Sequence, residues 1–150
     1  MQRAIELSLE NVRAGLGGPF AALVVREGSI IASGTNQVTT LQDPTAHAEV
    51  VAIRVACQAL GNFQLSDCVL YTTSEPCPMC MGAIYWARLA NVYYANTRDD
   101  AAQIGFDDSF IYDQLALPPG ERKIPMIRVM SPQALEAFHE WERSPLKAKY

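Results

Sequence analysis

Basic residues are scarce in this chain, where 12 Lys and Arg stand against 16 Asp and Glu and give a net charge of −4. Binding to nucleic acids relies on clustered Lys and Arg, so this balance argues against a polynucleotide partner. No run approaches the roughly 18 apolar residues that a membrane-spanning helix needs. Residues 1–12 carry Arg3, Glu6 and Glu10 and lack the apolar segment of a secretion signal. We therefore expect a cytoplasmic protein without a membrane partner.

Cysteine is also rare, with 4 copies. In a reducing cytoplasm such cysteines are more often metal ligands or core residues than disulfide partners. Cys57 and Cys68 stand alone among apolar neighbours and are interpreted as core residues. The chain has no internal repeat, low-complexity segment or linker, and 49% of its residues are hydrophobic. Residues 1–150 are therefore expected to form one domain with a proper core.

The spacing of apolar residues predicts an α/β protein. Helices are predicted over residues 2–14, 46–60, 78–89, 99–104, 106–115 and 132–141. Strands are predicted over residues 20–25, 30–36, 69–73, 91–95 and 124–129. The first two strands form a hairpin, and the alternation after residue 69 predicts parallel strands in βαβ units. The sheet is therefore expected to be mixed and five-stranded.

Two of these helices are predicted to be amphipathic, with one apolar face turned to the core. In the first helix the expected buried stripe consists of Ile5, Leu9, Val12 and Leu16. In the second helix it consists of Ala48, Val51, Ala52, Val55 and Ala59.

Cys77 and Cys80 are the starting point for predicting a functional site, and the other candidate residues are judged by whether they complete it. Proline is favoured at the first position of a helix, so a helix that begins at Pro78 carries both cysteines on one face. The positive end of the helix dipole favours thiolate over thiol. Two thiolates that face the same way supply half of a zinc site.

The histidines differ in what surrounds them. His139 lies late in the chain without a second ligand type nearby, whereas His47 lies in the first turn of the second predicted helix. Cys57 is about 15 Å further along that helix and too distant to share a metal. The set of His47, Cys77 and Cys80 leaves one position for water, as catalytic zinc sites do. Thiolate and imidazole ligands suit zinc best, although iron or cobalt fits the same geometry.

Glu49 follows His47 by two residues at a helix tip for which Thr45 is the expected N-cap. In metal-assisted hydrolysis a base must accept a proton from water and return it to the leaving group. A carboxylate at this spacing reaches such a water without binding the metal, which predicts a proton shuttle. The alternative is that Glu49 only interacts favourably with the helix dipole.

The pattern His-x-Glu followed by Pro-Cys-x-x-Cys is the signature of zinc-dependent deaminases. Over nearly its whole length the chain resembles the cytidine deaminase superfamily and, more narrowly, the bacterial guanine deaminases. The motifs that carry this resemblance lie at residues 17–20, 43–49 and 75–88, and for the guanine branch at residues 105–112. The resemblance implies a three-layer α/β/α cytidine deaminase-like fold, one Zn²⁺ per site, and hydrolysis of guanine to xanthine and ammonia.

The resemblance also implies roles for individual residues. His47, Cys77 and Cys80 would bind zinc, and Glu49 would move protons between water, a ring nitrogen and the departing ammonia. The expected contacts with the base are Asn36 and Asp108 by hydrogen bonds, Phe20 and Trp86 by ring packing, Ala48 by its backbone, and Tyr150, with Glu75 as a weaker candidate.

Asp108 has independent chemical support. A carboxylate accepts hydrogen bonds and prefers a base edge with N–H donors. Guanine offers N1–H and an amino group, whereas adenine lacks a ring N–H on that edge and cytosine lacks a donor at N3. The alternative is that Asp107 and Asp108 belong to a solvated acidic loop together with Asp99, Asp100 and Asp113.

Other functions remain open from the sequence alone. A tRNA adenosine deaminase shares the zinc motifs, but the acidic balance argues against an RNA surface. A cytosine or nucleoside deaminase, activity on aminated rings such as triazines, and a non-catalytic zinc-binding module are further alternatives. The resemblance implies a homodimer, in which residues 118–125 could act as the hinge for exchange of the C-terminal segment. Tyr150 would then close either its own pocket or that of the partner.

Overall fold

A computed structural model describes residues 1–148 as an α/β protein. The helices are α1 (Gln2–Arg13), α2 (Val38–Leu41), α3 (Ala48–Leu60), α4 (Pro78–Ala87), α5 (Arg98–Gln103), α6 (Ser109–Ala116) and α7 (Ser131–Arg143). The strands are β1 (Ala21–Arg26), β2 (Ser29–Thr35), β3 (Cys68–Ser74) and β4 (Asn91–Asn96), and a 3-10 turn covers Pro119–Glu121. The chain divides into two compact units, Met1–Asp108 and Ser109–Tyr150. No described helix is both long and apolar enough to cross a membrane.

The first unit contains a mixed sheet with the strand order β2-β1-β3-β4. A two-residue turn joins β1 to β2, and both of its residues, Glu27 and Gly28, have positive φ, as a type I′ turn requires. β1 also pairs antiparallel with β3, while β3 pairs parallel with β4 after the crossover through α4. The mixed sheet and the βαβ unit are therefore confirmed.

The prediction of five strands is wrong, because residues 124–129 form no strand. These residues lie in the second unit, and Ile124 and Ile127 are 82% and 80% exposed. Sheet pairing within the described residues is confined to β1 to β4. A run with high β-propensity becomes a strand only where its backbone finds a partner and one face is buried.

The centre of the sheet is β1, which is buried on both faces. Ala22 and Val24 belong to the main core cluster, which includes residues of α3, β3 and α4. Ala21 and Leu23 point to the opposite face and are equally buried. Cys68 lies within the main cluster and Cys57 packs against it, so both cysteines are core residues as predicted.

The predicted apolar stripe of α1 does not face the core. The buried side chains of this helix are Ala4, Ser8 and Asn11. Ile5, Leu9, Val12 and Leu16 are exposed, which corrects that prediction. Small side chains bring a helix close to a sheet, and hydrophobicity alone does not reveal which face has them.

The packing of α3 also differs in part from its predicted stripe. Ala48 and Ala52 are fully buried as predicted, but Val55 is 40% exposed and Ala59 is exposed. The helix lies directly on the backbone of β2 at Gly34. A Cβ atom at this glycine would lie 2.3 Å from the carbonyl oxygen of Ala48 and 2.6 Å from the nitrogen of Ala52. The glycine therefore determines how deeply the first turns of α3 sit.

Candidate metal centre and active site

Two helices begin with a candidate metal ligand. His47 is the N-cap residue of α3 and Cys77 is the N-cap residue of α4, and both have extended backbones. Neither side chain forms a capping hydrogen bond. Pro78 occupies the first turn of α4 as predicted, and Cys80 follows on the same turn. Two positions that usually hold a capping side chain therefore direct their side chains toward each other instead.

Thr45 is not the N-cap of α3, which corrects the prediction. Its hydroxyl and its backbone N–H both donate to Asp43 Oδ1, at 2.7 Å each. This Asx-type turn shapes the chain before the helix, and the cap position shifts to His47. The preceding loop also contains the single-turn helix α2, which the sequence did not predict.

The three candidate ligands form one compact cluster. His47 Nδ1 lies 3.5 Å from Cys77 Sγ and 3.5 Å from Cys80 Sγ, and the two sulfur atoms are 3.6 Å apart. Tetrahedral zinc with bonds of about 2.1 Å to nitrogen and 2.3 Å to sulfur separates its ligands by roughly 3.6 Å for N and S and roughly 3.8 Å for S and S. The cluster therefore fits zinc, with the histidine bound through Nδ1.

The electrostatics of the cluster favour one thiolate before any metal binds. A hydrogen bond from Cys80 and the nearby His47 together lower the pKa of Cys77 to about 4, although burial opposes this shift. The same pairing raises the pKa of Cys80, as do its burial and the charge of Glu49. The hydrogen bond to Cys77 raises the pKa of His47. Cys77 is therefore ready to bind a cation, whereas Cys80 must first lose its proton.

Glu49 lies beside the cluster without belonging to it. Its carboxyl group is buried, with a residue exposure of 6%. The hydroxyl of Thr72 donates to Oε1 at 2.9 Å, and Cys80 Sγ lies 3.4 Å from Oε2. Burial raises the pKa of Glu49, although its hydrogen bonds lower it in part. A buried carboxylate at this place is suited to accept and return a proton.

Thr72 was not identified from the sequence. It lies on the inward face of β3 together with Cys68 and Leu70, at intervals of two residues. A polar side chain among apolar ones on a buried face must find a hydrogen-bond partner, and here that partner is Glu49. The strand periodicity of residues 68–74 was the available signal.

Asn36 and Phe20 meet at the end of the hairpin. The N–H of Asn36 donates to the carbonyl of Phe20 at 3.0 Å, and the Asn36 side chain is 7% exposed. The ring of Phe20 makes an edge-to-face contact with Phe106, with the centroids 4.9 Å apart. Ala48 follows directly after His47 and is fully buried. These residues are placed near one another, and their contacts with a substrate remain predictions.

Asp108 and Glu75 have different surroundings. Burial raises the pKa of Asp108, and the negative charge of Cys77 raises it further. Glu75 instead accepts a hydrogen bond from the backbone N–H of Arg98 at 3.2 Å. This bond links the cysteine loop to the first turn of α5.

Trp86 is a predicted contact that the structure places away from the cluster. Trp86 follows Cys77 by nine residues along α4, about 13 Å at the helical rise, and is 65% exposed. Tyr150 lies outside the described residues. Both assignments remain predictions.

The comparisons with known proteins agree with this geometry. Residues 1–96, which include every ligand of the cluster, match the family model of the cytidine and deoxycytidylate deaminase zinc-binding region. The chain therefore belongs to this family of zinc-dependent hydrolases. Over all 150 residues it is 55% identical to guanine deaminase from Bacillus subtilis (strain 168) and covers 96% of that protein. The X-ray structure of guanine deaminase from Bacillus subtilis matches with a TM-score of 0.96, covering 99% of this chain and 95% of that one.

Other relatives match less of the chain. A tRNA-specific adenosine deaminase from Agrobacterium fabrum is 47% identical over 76 residues, which are 51% of this chain and 50% of that protein. A structure of guanine deaminase from Nitrosomonas europaea is 34% identical with a TM-score of 0.67, and the match covers 91% of this chain and 69% of that one. The similarity to these two guanine deaminases thus extends into the second unit.

Proposed function

We propose that the protein hydrolyses guanine to xanthine and ammonia in the cytoplasm, as part of purine catabolism or salvage. The proposal is carried by a buried glutamate beside a three-ligand zinc cluster, in a chain similar to guanine deaminase from Bacillus subtilis over its full length. Three protein ligands leave one coordination position for water.

Recognition of the base is assigned to one hydrogen-bond donor and one acceptor. Two backbone N–H groups, those of Gly18 and Val38, donate to Asn36 Oδ1, which leaves the amide NH₂ of Asn36 to meet an acceptor. Asp108 supplies the acceptor. Guanine presents an acceptor, O6, next to a donor, N1–H, whereas adenine presents an amino donor next to the acceptor N1. The donor and acceptor pair therefore favours guanine.

The residues of the chain manage the protons of the reaction. Zinc, when bound at His47, Cys77 and Cys80, supplies the Lewis acid that makes water nucleophilic near pH 7. As the water oxygen bonds to C2 of guanine, Glu49 takes one proton and passes it to the ring nitrogen beside C2. Glu49 then carries the second proton to the amino group. The bond between C2 and that nitrogen breaks, ammonia leaves, and C2 keeps the oxygen. Thr72 holds Glu49 in place during both transfers.

Ammonia release from a substrate panel tests the proposed reaction. We expect the zinc-loaded protein to release ammonia from guanine, with kcat/KM at least about 100-fold above the values for cytosine, adenine, adenosine and a tRNA, because a mismatched polar pair in a buried site is costly. An aminated triazine belongs in the same panel. Preference for tRNA or adenosine would support the adenosine deaminase alternative. No release from any substrate at full zinc occupancy would support a non-catalytic zinc module.

We also propose a homodimer in which the C-terminal segments are exchanged. None of the described residues of the second unit is buried, although many of them are apolar. Those that are at least 70% exposed are Ile124, Ile127, Val129, Phe138 and Leu146. Burying a large apolar side chain contributes about 1.5–3 kcal/mol. A dimer in which a second copy covers this surface would therefore be stabilised. Pro118, Pro119 and Pro125 stiffen the chain between α6 and α7.

Mixing two inactive variants tests this exchange. One variant carries Glu49→Ala, and the other lacks residues 144–150. If the tail of one copy closes the pocket of the other, a mixed dimer has one complete site, and mixing should restore up to about a quarter of the wild-type activity on statistical grounds. Light scattering gives the mass of each species. Unchanged substrate affinity in the truncated variant would remove the tail from the site, and no recovery on mixing would indicate closure within one chain.

A further inference from the structure

A buried hydrogen-bond ring connects α1 to the hairpin end that carries Asn36. Asn11 is 3% exposed, and its Nδ2 donates both to the carbonyl of Gly18 at 3.0 Å and to the carbonyl of Asn36 at 3.1 Å. The N–H of Gly18 returns to Asn36 Oδ1 at 3.4 Å. The Asn11 amide therefore connects the loop at Gly17 and Gly18, called here the glycine loop, to the backbone of Asn36, the residue proposed to bind the base.

The glycine loop packs closely against the hairpin end and has no room for a side chain at Gly17. A Cβ atom at Gly17 would lie 2.1 Å from the carbonyl oxygen of Asn36 and 3.2 Å from Asn11 Nδ2. The Gly18 carbonyl also accepts from the N–H of Phe20 at 2.8 Å. Asn36 Oδ1 is held a second time by the N–H of Val38 at 3.3 Å. The orientation of the Asn36 amide thus depends on a loop whose own position depends on Asn11.

We propose that Asn11 is a positioning residue for substrate recognition, which holds the Asn36 amide with its NH₂ group directed at an acceptor atom of the base. The inference rests on the proposed function. Without the Asn11 amide, the buried carbonyl group of Asn36 loses this donor, and the carbonyl group of Gly18 keeps only the N–H of Phe20. A shift of the loop that brings another donor to the Asn36 carbonyl would move the Asn36 amide with it.

The test is a double-mutant cycle between Asn11 and Asn36 with guanine as substrate. Asn11→Leu keeps the size of the side chain but has no N–H donor. We expect it to lower kcat/KM by about 10- to 100-fold, since a misplacement of about 1 Å at a site has effects of this size. In the Asn36→Ala background the same change should lower kcat/KM by less than about twofold, because the group it positions is already gone. Zinc content and the pH profile should stay as in wild type.

Ser8→Ala is the matched control. Ser8 lies one turn earlier on the same buried face of α1, and its hydroxyl donates to the carbonyl of Ile5 within the helix at 2.8 Å. We expect this variant to keep wild-type kcat/KM. If Asn11→Leu does not fold, Asn11→Ser retains one donor and allows the same cycle.

The possible outcomes separate the two proposals. A fall in kcat/KM that is equally large with and without the Asn36 amide would overturn the positioning role and indicate a general structural effect. Unchanged kcat/KM in Asn11→Leu would overturn it as well. If the wild-type protein releases no ammonia from guanine, the proposed function fails before the cycle is measured.

Discussion

Replacing Glu49 with alanine is expected to lower kcat by roughly 10⁴-fold while one zinc ion per chain stays bound. General acid–base catalysis contributes about 10²- to 10⁴-fold, and Glu49 is assigned two proton transfers in each turnover, which places the loss at the upper end. The carboxylate is not among the three cluster ligands, so its removal leaves the metal donors intact. Steady-state ammonia release and metal analysis of the same sample measure both quantities. Near-full activity would show that another group moves the protons.

Thr72→Val provides a graded comparison for this variant. It removes the hydroxyl that donates to Glu49 Oε1 but keeps the carboxylate and the size of the side chain. A smaller loss, about tenfold, is expected because the base is present but less well oriented. A loss as large as that of Glu49→Ala would mean that the hydrogen bond, rather than proton transfer, is what the first variant disrupts.

Glu49 should also make the stability of the zinc-free protein depend on pH. Burial raises the pKa of this carboxyl group in the folded state above its value in the unfolded chain. Its contribution to stability is therefore fully present below the unfolded pKa and is lost as the pH rises through the folded pKa. At neutral pH zinc-free Glu49→Gln should unfold at a higher temperature than the zinc-free wild type, and the difference should vanish in acid. Equal melting temperatures at neutral pH would show that the buried carboxyl group has no such cost.

Replacing Cys80 with serine is expected to abolish stable zinc binding and ammonia release together. Cys80 is fully buried at the centre of the cluster, and a hydroxyl is a poor substitute for a thiolate toward zinc. Because metal binding contributes directly to folding free energy, the variant should resemble the chelator-treated wild type in its melting temperature. Metal analysis and thermal unfolding with and without chelator measure these effects.

Cys57→Ser is the control for this second variant. Cys57 lies in α3 and packs against the core, away from the ligand cluster, so its replacement should keep zinc and activity. The wild-type protein offers one more check. Cys80, whose pKa is raised, must deprotonate when zinc enters, so we expect release of about one proton from this thiol, in addition to any share from His47. Calorimetry in two buffers measures that release, and zinc affinity should rise with pH.

The metal centre was predictable because its determinants are local in sequence. Cys77, Pro78 and Cys80 lie within one helical turn, and His47 and Glu49 lie within another. Helix geometry alone therefore places each pair. Only the meeting of the two helix starts needs the tertiary fold, and the spacing of 30 residues between His47 and Cys77 leaves room for a helix and a returning strand.

The supporting residues were not predictable in the same way. Asn11 and Thr72 are polar residues on faces that become buried, and their partners are distant in sequence by 25 and 23 residues. The sequence pattern of α1 favoured Ile5 and Leu9 as its inner face, whereas the structure turns the small residues inward. Such choices depend on how closely two backbones approach, which a hydrophobic pattern does not record. The prediction of a strand over residues 124–129 was wrong for a related reason, because a hydrophobic pattern does not show whether a segment finds a pairing partner in the sheet.

Directed evolution of the substrate range would find position 34 closed to substitution. The absent side chain of Gly34 lets the carbonyl oxygen of Ala48 come within 2.3 Å of where a Cβ atom would lie, one residue before Glu49, the proposed general base. We expect any larger residue to move the start of α3, and with it both His47 and Glu49. Mutational libraries are therefore better directed to Asp108, the proposed hydrogen-bond acceptor for the base, and to the loop that carries it, because changes there leave the start of α3 in place. The position of His47 and Glu49 thus depends on Gly34 having a hydrogen atom in place of a side chain.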